Sequence, residues 1–395
     1  MKSEKGPDKT TIDGRRLGAA IRLNDFSEGG FVTIEGFTIT RGSSIGGGGG
    51  ILLPSNLDSG NSNLTVWLEN NIVIDNYSTR AGGGIFINGS FTFVVLRNSL
   101  IAQNTAAEDG GGLSIATDKT SGNWVSLLAE NCTIADNIAL NDGGGLLVGE
   151  AAHVRLENSI IYNNTGTRLS DSQVDIVDGA SGVHFNVDYC NIEGGWESIT
   201  GIDGFTGSRT NSFDLPPLFA SGPFGDYYLS AQPLQSVTSP CVDRGHPGVS
   251  SVLGTTRTDG KEDDIHLDLG YHYSPHLPIP DLKVNGLDGN FQVSVWDEVF
   301  LTGGVDPGYL EGVPHDWWLK AERDGVITAW WDLSGVWITS PSPVRAWFGS
   351  LSAIEGFPIS NGTLPPGEWK FTFVLDARNG VFEGTYADSV TVTVQ

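Results

Sequence analysis

The chain has 395 residues and sets 22 Lys and Arg against 47 Asp and Glu, a formal net charge of −25. That balance argues against nucleic acid and anionic lipid surfaces as partners, because both are held by clustered Lys and Arg. The 54 glycines are about twice the average share and disfavour helices, and no run approaches the ~18 apolar residues of a membrane-spanning helix, so the composition describes an acidic, β-rich protein.

Residues 1–10 are polar and carry no apolar targeting stretch. Thr11-Ile-Asp-Gly14 followed by Ala19-Ala-Ile-Arg-Leu23 reads as a shortened version of a unit that then recurs. Nine-residue segments begin at residues 34, 68, 96, 129, 156 and 187, as in Leu68-Glu-Asn-Asn-Ile-Val-Ile-Asp-Asn76 and Ala129-Glu-Asn-Cys-Thr-Ile-Ala-Asp-Asn137. Six residues after the end of four of them come Gly48-Gly-Gly-Ile51, Gly82-Gly-Gly-Ile85, Gly110-Gly-Gly-Leu113 and Gly143-Gly-Gly-Leu146. About 30 residues with three β-prone runs and no helix is the size of one coil of a parallel β-helix. A fixed spacing repeated four times does not follow from a sandwich of hairpins.

Stacking turns each repeat position into a ladder. The sixth position is aliphatic throughout (Ile39, Val73, Ile101, Ile134, Ile161, Ile192) and is predicted to face the core. The fourth, which holds Cys132 and Cys190, shares its parity, and two coils separate these thiols by roughly 9–10 Å, beyond disulfide reach. The third position (Gly36, Asn70, Asn98, Asn131, Asn158) and the last (Asn76, Asn104, Asn137, Asn164) are predicted as two rows of left-handed corners, which Asn tolerates while its amide bonds to the next coil. The second position carries Glu35, Glu69, Glu130, Glu157 and Asp188, interrupted by Arg97. It is expected to be a solvated acidic stripe in which an arginine or a cation relieves repulsion. Every adjacent pair in it has the carboxyl spacing of glycoside hydrolysis, so that spacing singles out no catalytic pair. The glycine-led strand is predicted to expose Leu52, Phe86, Ser114 and Leu147, a poor proton-transfer surface, and His153 stands alone.

These repeats, over about residues 11–195, resemble those of bacterial right-handed β-helix surface proteins, including the polymorphic outer-membrane proteins. Pro217-Leu-Phe-Ala220, Gly225-Asp-Tyr-Tyr-Leu229, Ser239-Pro-Cys-Val-Asp243 and Asp268-Leu-Gly-Tyr-His-Tyr273 look like the closing segment of secreted β-helix proteins of the choice-of-anchor type. The resemblance implies a right-handed parallel β-helix over 1–274, with an irregular closing segment at about 196–274, and a secreted or cell-surface location. The N-terminal coil looks thinly capped. Sequence upstream, a partner chain or self-association through that end is therefore expected.

The segment 259–268 gathers Asp259, Glu262, Asp263, Asp264 and Asp268 around a turn and is the candidate Ca²⁺ site, calcium being an oxygen-ligated ion. Pro275-His-Leu-Pro-Ile-Pro280 reads as a stiff linker. Beyond it, 281–395 holds eight of the 11 tryptophans and alternating runs such as Trp369-Lys-Phe-Thr-Phe-Val-Leu375, the pattern of a small antiparallel β-sandwich. It resembles the immunoglobulin-like tails of secreted bacterial proteins. Trp317-Trp318 and Trp330-Trp331 are adjacent pairs that must present rings to opposite faces. With Trp337 they are the candidate ligand contacts, toward a glycan or another protein subunit. The sequence thus predicts an all-β, non-enzymatic surface or matrix protein acting in adhesion, glycan contact or assembly. The alternative is a carbohydrate-active enzyme, a polysaccharide lyase or glycoside hydrolase, with an accessory sandwich.

Overall fold

The structure is a computed structural model that describes every residue except 24–29, 54–63, 90, 117–123, 167–172, 178–179, 200–205, 250–251, 259–260, 262, 264–265, 274–277 and 309–313. The chain forms two compact units, Met1–Ser274 and Pro275–Gln395. Among the described residues no helix is long and apolar enough to cross a membrane.

The first unit is a parallel β-solenoid. Its long face stacks Gly30–Glu35, Leu64–Glu69, Thr92–Arg97, Val125–Glu130, Ala152–Glu157, His184–Asp188 and Thr206–Thr210. A short face stacks Thr11–Asp13, Thr38–Thr40, Ile72–Ile74, Leu100–Ala102, Thr133–Ala135, Ile160–Tyr162 and Asn191–Ile192. The glycine-led face runs from Ile21–Arg22 through Ile51–Leu53, Ile85–Asn88, Leu113–Ala116 and Leu146–Val148 to Val174–Ile176. Register is kept from coil to coil, so Val73 pairs with Ile39 and Ile101, and Ile134 with Ile101 and Ile161. All five are buried in one core.

The coil has four faces, not the three expected. Two-residue strands (Ser43–Ser44, Tyr77–Ser78, Thr105–Ala106, Ile138–Ala139, Thr165–Gly166) form a further ladder. They arise because the second left-handed corner falls one residue earlier than predicted, at Arg41, Asp75, Gln103, Asp136 and Asn163. The first corner falls at the predicted third position, with positive φ at Asn70, Asn98, Asn131 and Asn158. Freed from the corner, the last-position asparagines turn inward. Asn104 Oδ1 accepts from the backbone N–H and the amide of Asn76 at 3.1 and 3.0 Å, and Asn137 Oδ1 does the same for Asn104 at 3.0 and 3.0 Å. Asn164 continues the row and Gln173 Oε1 ends it. Each amide of this last-position row is thereby satisfied, as a solenoid core requires.

The glycines are steric necessities at all three positions of each triplet. At Gly82 φ is +64° and an added Cβ would lie 2.4 Å from Ile85 O, while at Gly83 it would lie 2.4 Å from Gly111 O in the next coil. This tight fold-back explains a departure from expectation. Ser114 and Leu147 are only 1% and 8% exposed, because the glycine run crosses them: a Cβ on Gly110 would meet Ser114 Cβ at 2.6 Å. The three cysteines are free and buried, with thiols pushed up to about 12 by burial, and behave as small core residues.

Residues 1–10 pair rather than trail: Met1 O accepts from Glu35 N at 3.0 Å, and Ser3 N donates to Glu35 O at 2.9 Å. The closing segment lies along the outside of the short face. Tyr227, Tyr228, Tyr271 and Tyr273 cover Ile72, Leu100, Ala102 and Ala135, and Leu229, Cys241 and Leu269 cover Ile160 and Tyr162. The corner asparagines hold it there. Asn98 Oδ1 accepts from His272 N at 2.7 Å, its amide returns a bond to His272 O at 2.9 Å, and Asn158 O accepts from Gly270 N at 2.9 Å.

The second unit packs a three-stranded antiparallel sheet (Ile279–Val284, Val299–Asp306, Ile354–Gly362) against a larger one. The larger sheet contains Pro314–Arg323, Gly367–Ala377 and Tyr386–Val394 at its centre. It is antiparallel except where Asn290–Val293 joins Tyr386–Val394 in parallel. Leu282, Leu301, Trp317, Leu319, Phe371, Phe373 and Val392 share its core. Of the proline-rich stretch 275–280, residues 275–277 lie outside the described residues, and Ile279 and Pro280 already belong to a strand.

Candidate functional site

On the long face every second side chain points outward, and in-register stacking lines these up in three rows. The acidic row is ion-paired rather than simply solvated. Arg97 bridges Glu69 at 3.2 Å and Glu130 at 2.7 Å while lying over the Trp67 ring at 5.4 Å, Lys2 meets Glu35 at 2.9 Å, and Arg155 meets Glu157 at 3.0 Å. His153 is not alone. It stacks in register on His184, with ring centroids 4.5 Å apart and edge to face. With Phe93, Leu128, Arg155 and Asn186 the two rings line a shallow depression of about 450 Å³. Loss of surrounding water lowers the His153 pKa, and repulsion from His184 lowers it further. Two imidazoles beside a guanidinium form a patch able to hold anionic or hydroxyl groups and to move a proton.

The second unit offers an apolar cleft of about 320 Å³ between its two sheets, lined by Trp317, Leu319, Trp331, Trp347, Phe357 and Phe373, with Asp332 at the rim. Trp347 is 47% exposed and meets Trp317 edge-on at 4.9 Å, and Trp331 meets Trp337 in the same way at 5.2 Å. Trp317 is buried, and its Nε1 has no hydrogen-bond partner among the described residues. At the rim the Ser334 hydroxyl and the backbone N–H groups of Val336 and Ser334 hold the Asp332 carboxyl below its usual range, so it stays an ionised acceptor. A larger groove of about 700 Å³ beside the three-stranded sheet is lined by Asp281, Lys283 and Glu355, two of which are already paired with each other.

The sequence-derived tryptophans therefore divide. Adjacent rings do take opposite faces, but Trp318 and Trp330 are buried in a small cluster with Val374, covered by Phe382 at 5.7 and 5.3 Å. Trp331 and Trp337 are partly open. Trp347, which was not singled out from sequence, completes the cleft because the strand Arg345–Ser350 pairs with Pro314–Arg323 and sets Trp347 opposite Trp317.

Of the acidic segment, Asp259, Glu262 and Asp264 lie outside the described residues. Asp263 and Asp268 turn inward. Asp263 Oδ2 faces His272 Nε2 at 2.6 Å, and Asp268 accepts from Asp243 N at 2.6 Å and from the Thr256 hydroxyl at 2.6 Å. Burial, with the neighbouring Asp263 charge, pushes Asp268 up to about 6. Asp268 is engaged by protein donors through both oxygens and Asp263 through Oδ2, while Asp263 Oδ1 is buried without a hydrogen-bond partner among the described residues.

No protein-family model, curated protein or solved structure matches the chain.

Proposed function

We propose that the protein is an exported scaffold that contacts glycans, with the solenoid as a rigid support and the aromatic cleft of the second unit as the binding surface. One observation carries this reading: half-open indoles at Trp331 and Trp347 flank an apolar floor with the Asp332 carboxylate at its edge. Indole faces pack on the C–H faces of sugar rings, and a fixed carboxylate accepts their hydroxyls. The resemblance to choice-of-anchor proteins, the immunoglobulin-like reading of the second unit and the acidic, surface-type composition support an extracellular setting.

The test is retention on a panel of soluble neutral and acidic glycans by affinity electrophoresis, with titration calorimetry on any that bind. The double variant Trp331→Ala/Trp347→Ala is expected to lose at least tenfold in affinity, whereas Trp296→Ala, 85% exposed away from the cleft, leaves binding unchanged. Equal binding by the double variant and the parent would overturn the assignment. The second reading, a carbohydrate-active enzyme, is favoured by the His153–His184–Arg155 depression. Turnover of a glycan that His153→Gln abolishes, with cleft variants still active, would replace the scaffold reading with that one.

A further inference from the structure

Most of the acidic row on the long face has its cation. Lys2 serves Glu35, Arg97 is shared by Glu69 and Glu130, and Arg155 reaches Glu157. Asp188 differs. It stacks directly in register on Glu157, no Lys or Arg pairs with it among the described residues, and its Oδ1 is buried without a hydrogen-bond partner among them. Both Arg155 bonds go to Glu157 Oε2, which leaves Oε1. A buried, uncompensated carboxylate oxygen is costly, so the position calls for a positive group.

A loop of the closing segment brings His246 there. Its backbone N–H donates to Asn158 Oδ1 at 2.7 Å, and its ring lies edge-on to Tyr189 at 4.8 Å. One ring nitrogen of His246 and one oxygen each from Glu157 and Asp188 fall within 4.8 Å of one another. We propose that Glu157, Asp188 and His246 form a binding site for a divalent transition-metal ion of the zinc class.

One imidazole with two carboxylates suits zinc better than calcium, which takes 6–8 oxygens. Three protein ligands leave a fourth position for water, and the dication offsets the two stacked charges. Bonds of about 2.0–2.2 Å place ligand atoms roughly 3.0–3.5 Å apart, so from separations of up to 4.8 Å binding draws the triad together by at most about 1.8 Å. The His246 loop can supply that movement, because Pro247, Gly248 and Val249 are exposed. Gly248 N donates to His246 Nδ1 at 3.0 Å, which puts the proton of a neutral ring on Nε2. Coordination through Nε2 shifts that proton to Nδ1 and releases the Gly248 N–H to water. The ion thereby ties the closing segment to two successive coils.

The experiment uses the full chain stripped with chelator, titrated separately with Zn²⁺, Co²⁺ and Ca²⁺. Expected are one equivalent of Zn²⁺ at micromolar Kd or tighter, a higher Tm with Zn²⁺, and a Co²⁺ visible spectrum of low-symmetry coordination. His246→Ala and Asp188→Asn are each expected to weaken Zn²⁺ at least tenfold and abolish the Co²⁺ spectrum. His153→Ala/His184→Ala, on the same face but outside the triad, is expected to leave both unchanged. His246 lies on a partly open loop, so its alanine variant keeps the apo melting profile, and this shows that a loss is not misfolding. Absence of zinc binding, or binding that survives His246→Ala and Asp188→Asn, would overturn the proposal.

Discussion

His153 is open to solvent, yet the side chains around it strip enough water to lower its pKa, and His184 adds repulsion. A histidine whose folded pKa lies below its unfolded value resists protonation, so it costs no stability above about pH 6.5 and lowers stability as pH falls from there through its depressed folded pKa. In an NMR titration His153 is expected to titrate below an ordinary histidine and to move back toward 6.5 in His184→Gln. A titration unchanged by that substitution would remove the pairing from the account. Sequence alone does not reveal the pair, because the partners are 31 residues apart in strands whose register becomes visible only when the coils stack. The same holds for Asp188: its place in the acidic row was legible, and the arrival of His246 above it was not.

The strands and corners repeat because stacking makes each coil the template for the next, and this is why they could be read from spacing alone. The left-handed Asn70, Asn98, Asn131 and Asn158 needed only the knowledge that Asn tolerates that region. The inward turn of Asn76, Asn104, Asn137 and Asn164 was misjudged by one residue, since a corner and a buried amide ladder both favour Asn. The closing segment has no periodic signature: Asn98 and His272 bond across 174 positions. Its anchor is a buried cluster. His272 Nδ1 donates to Gly270 O at 3.0 Å while Nε2 and Asp263 Oδ2 share a hydrogen bond at 2.6 Å. Removing one member of a buried hydrogen-bonded pair leaves the other unsatisfied, at a cost of about 2 kcal/mol. His272→Ala is therefore expected to lower stability by that order in chemical denaturation, with loss of near-ultraviolet tyrosine dichroism from Tyr271 and Tyr273. A destabilisation under 1 kcal/mol would mean that the tyrosines hold the segment by packing alone.

Each unit buries its own core: the clusters on the solenoid draw on residues before 275, and those on the sandwich draw on residues after it. A solenoid differs from a sandwich in having two open ends whose strands carry unpaired N–H and C=O groups, a template for another chain. At the N-terminal end the long face stops at Gly30–Glu35, and among the described residues Met1, Lys2 and Ser3 cover it, through backbone bonds to Glu35, the Lys2–Glu35 ion pair and the Met1 amine bond to Thr33 O. Phe31 on that strand is 85% exposed. Pro7 and Thr10 supply further carbonyls to Thr38 on the adjoining short face. Deleting residues 1–10 removes these partners together and leaves the edge strand flat, apolar at Phe31 and unblocked. The truncated chain is expected to shift toward concentration-dependent oligomers in light scattering at conditions where the parent does not, and Phe31→Lys, which places a charge on the edge, is expected to reverse the shift. Truncated and parent chains with the same mass across a hundredfold concentration range would show that residues 1–10 order the first coil without guarding its edge.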